Sequence, residues 1–407
     1  MKWYLSQLGR REHYSLAVAL HRQRGLAVLC TDIWAAWTAR LPALLRPCGL
    51  AQRYRVDLAD APICAEPWLN VWRTWTDRRS PFDCWVAQGE RFGRFAAEVY
   101  RQRGLGVGDT ALGYTCGNLE QFTLAREVGA RTIHVQVDPG PAWYDTRAAA
   151  HAANPRAGTM PAGPSRAFLQ RVREEISLAD RLVVHSAHSL RSLASAGLDI
   201  SRGVVVPPAF SPVGQGVARR LQPGRPLRVL YVGYVNLAKG FHVLAAASRT
   251  LGADIAVTVV GGLQMEPAYL RAIAPDVEFI GHVAQAEVAR RMAQADVLVF
   301  PTLSDGFGLV QLEAMAQGLP VIATSACGEV VRNGRDGFVV PPGDVESLVE
   351  ALRRLRREPD LYAAMSQAAL GRATEFGPER HLAGLLASPD DARHPDQYPD
   401  PLPDRFL

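Results

Sequence analysis

The sequence predicts an α/β protein built from two doubly wound parallel sheets, arranged as two Rossmann-like domains facing a cleft. Three observations lead there. The chain has 407 residues, too many for one ordinary core and enough for two domains of about 200 residues. Short apolar runs alternate with helical segments twice over, which implies right-handed parallel crossovers. Between the two series, residues 213–226 have the Gly, Pro and Gln composition of a linker. The expected division is residues 1–212, that linker, residues 227–377, and a C-terminal helix and tail over 378–407.

In the first half, strands are expected at Trp3–Gln7, Leu26–Thr31, Ala111–Tyr114, Arg131–Val137, Arg181–His185 and Gly203–Val206. Helices are expected from the turn Gly9-Arg10-Arg11-Glu12-His13 to about Arg24, and over Phe92–Arg103, Leu119–Val128, Phe168–Ala179 and His188–Ala196. Residues Ala148–Ser165, rich in Ala, Gly and Pro, read as a mobile loop. Six of the eight tryptophans fall between Ile33 and Trp85. Trp68, Trp72 and Trp75 share one helical face, either as anchors filling an irregular region or as an acceptor-binding or membrane-touching surface. In the second half the strands are Leu227–Val232, Ile255–Val260, Val277–Ile280, Val297–Phe300, Val321–Thr324 and Phe338–Val340. A helix is expected from Gly377 to Leu386, and a poorly ordered tail from Ser388 to Leu407.

Composition narrows the partners. At 48% hydrophobic and 21% charged residues the chain is globular. The net charge of +5 comes almost wholly from arginine, because Lys2 and Lys239 are the only lysines. The arginines are dispersed along helices, as at Arg353, Arg354, Arg356 and Arg357, and read as solvated faces. A nucleic-acid groove would gather them beside stacking aromatics, so nucleic acid is not an expected partner. Contact with anionic lipid stays open. The cysteines (Cys30, Cys48, Cys64, Cys84, Cys116, Cys327) lack paired spacing, which argues against zinc and for a reducing compartment. With no apolar run of about 18 residues and no visible signal peptide, the expectation is a cytoplasmic protein, with peripheral membrane association left open.

Every polar feature of interest in the second half follows a strand: Gly233 with Lys239-Gly240, Gly261-Gly262, Gly281-His282, and Asp305 to Gly308. Ligands of doubly wound sheets sit at these strand ends. Residues Val297–Thr324 read as strand, loop, helix over Leu309–Gln317, and strand, with Asp305 in the loop and Glu313 in the helix. A glycine-bearing loop feeding a helix N-terminus suits phosphate, so phosphates and hydroxyls are expected together. Lys239 stands out in an arginine-rich chain, as a place where a compact ammonium beside a phosphate is not exchangeable for a guanidinium.

Residues 227–377 resemble the donor domain of retaining glycosyltransferases of family 4, which have the GT-B fold. The resemblance rests on Val232-Gly233 with Lys239-Gly240, Val260-Gly261-Gly262, Phe279-Ile280-Gly281, the stretch Ala295 to Val321, Gly328-Glu329-Val330-Val331, Asn333 to Gly337, and Pro342-Gly343-Asp344. The first half resembles the family more loosely, through Gly9 to Glu12 and Glu174 to Ser186. The resemblance implies sugar transfer from a nucleotide-diphosphate sugar to an acceptor hydroxyl, with retention and with neither metal nor cofactor. It implies that Glu313 holds ribose, Asp305 contacts the donor sugar in place of the usual Glu, Phe307, Gly308, Leu309 and Val310 cradle the diphosphate after Gly306, Lys239 binds phosphate, and His282 lies beside the base. Tyr234 stands where an arginine is frequent. The base, the sugar and the acceptor (glycan, lipid-linked or small molecule) stay open.

On the acceptor side, His13, Gln136, Asp138 and His188 follow strand ends, and His13 and Asp138 are the hydroxyl-positioning candidates; His134 reads as a core histidine. Two other function classes remain. A GT-B epimerase would need carboxylates for acid–base elimination around the sugar, and a non-catalytic subunit would bind nucleotide sugar without turning it over. A phosphorylase would need a pyridoxal lysine, for which Lys2 and Lys239 are the only candidates.

Overall fold

The computed structural model describes residues 1–40, 50, 52–67, 81–160, 162–212, 214, 216–222 and 224–387. Its N-terminal sheet has seven strands: β1 Trp3–Gln7, β2 Leu26–Thr31, β3 Ile63–Ala65, β4 Thr110–Tyr114, β5 Arg131–Gln136, β6 Arg181–Val184 and β7 Gly203–Val205. They lie in the order β3-β2-β1-β4-β5-β6-β7, all parallel, with Leu5 opposite both Leu29 and Leu112. The connecting helices are α1 Ser15–Arg22, α2 Pro81–Gln102, α3 Leu119–Glu127, α4 Pro141–Ala153, α5 Arg166–Leu178 and α6 Ala187–Ser195. Central strands such as β1 and β4 are buried at every residue, as a sheet covered on both faces requires.

The second sheet has six strands: β8 Leu227–Val232, β9 Ile255–Val260, β10 Glu278–Gly281, β11 Val297–Phe300, β12 Val321–Thr324 and β13 Gly337–Val340, in the order β10-β9-β8-β11-β12-β13. Its helices are α7 Phe241–Leu251, α8 Pro267–Ile273, α9 Gln285–Gln294, α10 Val310–Met315, α11 Val345–Arg357, α12 Pro359–Thr374 and α13 Pro378–Leu386. In both sheets the winding direction reverses beside the first strand, between β1 and β4 and between β8 and β11. Crevices open at such reversals, and the two face each other.

Four expectations need correction. Ala148–Ser165 is not a free loop: α4 runs to Ala153, and a 3₁₀ turn follows at Pro155–Ala157. Its small residues let it lie against the other domain, where Ala150 and Ala157 join the core around Phe241 and Glu266 N–H donates to the Ala157 carbonyl at 2.9 Å. Helix α2 starts at Pro81, well before Phe92. Helix α10 is only six residues long and ends before the left-handed Gly318. Strand β3 was not anticipated within the Trp-rich segment.

The C-terminal helix α13 returns to the N-terminal domain. Leu382 and Leu385 enter the core around Trp3, Leu5 and Val206, and Arg181 donates to the Leu385 carbonyl at 2.6 Å. The linker is also fastened, because the Arg219 guanidinium donates to the carbonyls of Ala295 at 2.8 Å and Gln317 at 2.7 Å. Of the tryptophans, Trp34 packs edge-on against Tyr14, while Trp37 and Trp85 are exposed. Trp68, Trp72, Trp75, Cys48 and the tail from Ser388 lie outside the described residues. Among the described residues no helix is long and apolar enough to cross a membrane.

Leu385→Ala should cost about 2–5 kcal/mol by leaving a cavity in the N-terminal core. Urea denaturation followed by tryptophan fluorescence measures this, and an unchanged midpoint would refute the docking of α13.

Candidate functional site

Two adjoining chambers occupy the cleft. The larger, about 690 Å³, is lined on one side by Leu8 to His13, Tyr114, Val137 and His185, and on the other by Gly233, Tyr234, Lys239, Asp305 and Phe307 to Val310. The second, about 390 Å³, is lined by Gln52, Tyr54, Arg55, Gln285 and Glu313, among others. Arg10, His13 and Leu309 line both chambers. The cleft is therefore one groove with a waist.

On the donor wall, Lys239 and Asp305 come from the loops after β8 and β11, the strands between which the second sheet reverses. Their charged ends meet in an ion pair across that reversal. Asp305 is held by its backbone, whose N–H donates to the Ala326 carbonyl at 2.8 Å, and its carboxylate accepts from Phe307 N–H at 3.3 Å. Lys239 is placed by Asn236, whose side-chain oxygen accepts its backbone N–H at 2.8 Å. Gly240 starts α7 with φ 71°, and a Cβ there would lie 1.7 Å from the Pro301 carbonyl oxygen, so no other residue fits beside Lys239. Glu313, one turn into α10, faces the second chamber. Burial raises its pKa, and the nearby Arg10 guanidinium opposes the rise.

The remaining candidates divide. Gly233, Phe307, Gly308, Leu309 and Val310 line the larger chamber with Lys239 and Asp305. Gly261, Gly262 and His282 line neither chamber. Gly261 N–H donates to the Gly281 carbonyl at 2.9 Å, and Gly262 lies against the Tyr234 ring, so these glycines support the wall from behind, while His282 is exposed. Gly306 is where the domains touch: a Cβ there would sit 2.0 Å from the Val137 carbonyl oxygen. On the acceptor wall, His13 lines both chambers. Burial and the charges of Arg10 and Arg55 lower its pKa, which favours the neutral imidazole. Asp138 lines neither chamber. Its carboxylate accepts from Gly140 N–H at 2.7 Å and Gln136 Nε2 at 3.0 Å, which shapes the turn into α4, and burial raises its pKa. His134 is fully buried beside Asn118 and Gln136, as its mid-strand position implied.

Around Gly306 the two domains are clasped. Ser304 accepts the Trp143 indole N–H at its carbonyl at 3.1 Å, and its hydroxyl lies 2.8 Å from His188 Nε2. Ser189 Oγ–H donates to the Gly306 carbonyl at 3.3 Å. Glu329 accepts Ala187 N–H at 3.1 Å, which caps α6 from the opposite domain. Reasoning from sequence missed Arg10, Arg11, Gln52, Tyr54, Arg55 and Gln285. The turn bearing Arg10 and Arg11 was visible; residues 52–55 and Gln285 carried no signal.

Residues 226–358 match the family model described as Glycosyl transferases group 1. The matched stretch begins just before β8 and ends after α11, so it is the second sheet and its helices that are similar to this family. Among curated relatives, the D-inositol 3-phosphate glycosyltransferase of Pseudarthrobacter chlorophenolicus is 32% identical over 233 residues, covering 52% of this chain and 55% of its own length. The glycogen synthase of Mycobacterium tuberculosis is 32% identical over 167 residues, covering 39% of this chain and 40% of its own length. The chain thus spans about half the length of the curated relatives it matches. Among solved structures, sucrose-phosphate synthase from Thermosynechococcus elongatus superposes with a TM-score of 0.63 at 18% identity, covering 95% of this chain and 98% of that one. HepE of Anabaena, solved in complex with UDP, superposes with a TM-score of 0.59 at 15% identity and the same coverage. The two domains together have the GT-B fold of these neighbours.

The clasp has a pH signature. Burial and Arg191 lower the His188 pKa to about 4. The unfolded chain protonates this histidine near 6.5, so between those values the unfolded state binds more protons. Its contribution to stability is full above pH 6.5 and is lost as pH falls toward 4. His134 and His242, also near 4, act with the same sign. Glu175, raised to about 7 by burial, acts oppositely and loses its contribution as pH rises through 7. His188→Gln should flatten the dependence of Tm on pH between 6.5 and 4; a curve parallel to that of the wild type would refute a buried neutral His188.

Proposed function

We propose that the protein transfers a sugar from a nucleotide-diphosphate sugar to an acceptor hydroxyl with retention of configuration. The observation that carries the reading is the order of groups along the cleft. Glu313 faces the smaller chamber, Lys239 faces the larger, and the two chambers join at Leu309. A nucleotide sugar laid along this groove puts its ribose hydroxyls against a carboxylate that accepts hydrogen bonds. Its diphosphate then lies against an ammonium, and its sugar between the domains.

The chemistry asks for stabilisation of a departing diphosphate and of positive charge developing on the sugar. Lys239, aimed by Asp305, supplies a fixed positive charge to the first. The Lys239–Asp305 pair makes Asp305 the group that orients the lysine. His13, neutral and facing both chambers, accepts or donates one hydrogen bond to a hydroxyl of the acceptor or sugar. Solved GT-B neighbours carry UDP, UDP-glucose, or UDP with GlcNAc in their described complexes, which supports a nucleotide-sugar donor. The inositol-phosphate enzymes among the relatives make a polyol or its phosphate a reasonable first acceptor class to test.

Thermal shift with a panel of nucleoside diphosphates tests the donor reading first, since a ligand at 100 times its Kd adds about 2.7 kcal/mol. Lys239→Ala should lower turnover by about a hundredfold or more, and Lys239→Arg should restore little, because a guanidinium would lock onto Asp305 through two N–H groups and leave its charge displaced from the phosphate. Full activity in the arginine variant contradicts that role. Glu313→Ala should weaken nucleotide binding by about tenfold or more, read by calorimetry. A chelator should leave the rate unchanged, and strict metal dependence would overturn the site as drawn.

A further inference from the structure

The donor wall is short of positive charge for the ligand proposed above. Its lysine is already paired with Asp305. Tyr234, which follows Gly233, is neutral and 56% exposed. Glu313 then adds a carboxylate with no hydrogen-bonded partner on its own wall. The ionised groups of this wall leave it net negative, opposite a diphosphate that is itself multiply anionic. Binding needs cations from elsewhere.

They stand on the opposite wall. Arg10 lines both chambers, so it occupies the waist between the Glu313 side and the Lys239 side. Glu313 acts electrostatically on it from across the cleft. Its Nη1 lies 3.3 Å from His13 Nδ1, and it forms no ion pair with any described residue. Arg11 is exposed on the larger chamber, and it too forms no ion pair with any described residue. The neighbouring arginines are committed elsewhere. Arg53 makes a two-pronged pair with Asp32 at 2.9 Å, and Arg55 pairs with Asp57 at 2.9 Å.

The backbone shows how these two arginines are presented. Glu12, His13 and Tyr14 have φ of 47°, 51° and 63°, three successive left-handed conformations that cost L residues energy. Inward anchors hold the turn. Tyr14 is buried in the core, and Glu12 lies among Tyr114, His185 and His381. Gly9 N–H donates to Asp32 at 3.0 Å. Between these anchors, Arg10 and Arg11 are left facing the cleft.

Resting on the nucleotide-sugar reading, we propose that Arg10, assisted by Arg11, is the counter-charge for the donor diphosphate, delivered across the cleft by the N-terminal domain. Arg10 meets the phosphate next to ribose, at the waist, and Lys239 meets the phosphate next to the sugar. Two consequences follow. The pair selects nucleoside diphosphates over nucleosides, and donor binding draws on both domains at once.

Calorimetry on the full chain tests this with UDP, GDP, ADP and the matching nucleosides as probes, against wild type, Arg10→Ala, Arg10→Lys and Arg11→Ala. Arg10→Ala should weaken the best diphosphate by about ten- to a hundredfold while leaving its nucleoside within about twofold. Arg10→Lys should recover part of the loss, Arg11→Ala should lose less, and both alanine variants should show a shallower salt dependence. Diphosphate affinity unchanged in Arg10→Ala overturns the proposal. Equal loss of diphosphate and nucleoside also overturns it, since that marks a structural role for Arg10. A wild-type protein that binds none of the diphosphates instead overturns the donor reading itself.

Discussion

The contact between Gly306 and the Val137 carbonyl sets the spacing of the two domains, and the shape of the cleft depends on it. Any side chain at residue 306 would occupy the place of that oxygen. The absence of one lets the loop after β11 lie directly on the loop after β5. The hydrogen bonds from Trp143, His188 and Ser189 all end within three residues, Ser304 to Gly306. This same loop holds Asp305, and through it Lys239. The groups that close the domains are therefore neighbours in sequence of the groups that hold the donor's charge. The interdomain contacts and the partner of Lys239 share one three-residue stretch, Ser304 to Gly306.

The placement of charge follows a similar logic. A wall containing Lys239, Asp305 and Glu313 has little net positive charge for a diphosphate. On the proposed reading, cations on the facing loop make donor binding a property of both domains together. The ion pair with Asp305 costs some attraction for phosphate, yet it removes the rotational freedom of a long side chain and aims its charge. A short helix such as α10, with six residues, adds little dipole of its own, so side-chain charge carries the load.

Much of this was legible from sequence, for a reason that also explains the failures. Strands buried on both faces are apolar runs, so most strands appear where the runs are, and glycines and a lysine just after strands mark the donor wall because loops at one sheet edge must converge. What escaped is what depends on packing between distant segments. Residues 148–165 have the small residues of a loop, but Ala150 and Ala157 are small where the second domain lies against them. Leu382 and Leu385 look like an ordinary amphipathic helix; nothing local says that their partners are Trp3 and Leu5. Asp138 follows a strand as a cleft residue should, and yet its carboxylate is consumed by Gly140 and Gln136. Seeing that Arg10 joins His13 at the waist requires knowing how the left-handed segment that follows it turns the chain.

That turn also ties the site to the C-terminal helix. Glu12 has one carboxylate oxygen without a hydrogen-bond partner, 3.7 Å from His381 of α13, while its other oxygen lies 3.5 Å from His185 at the end of β6. His381 in turn contacts the Pro207 carbonyl at 2.7 Å, on the segment leading into the linker. The inward half of the turn thus rests on α13 and on the crossing between domains, while its outward half carries the arginines. An arginine on a relaxed turn would fold onto the nearest carboxylate, as Arg53 and Arg55 do. The left-handed backbone, held from below by Glu12 and Tyr14, keeps Arg10 and Arg11 out of those pairs and available to a ligand.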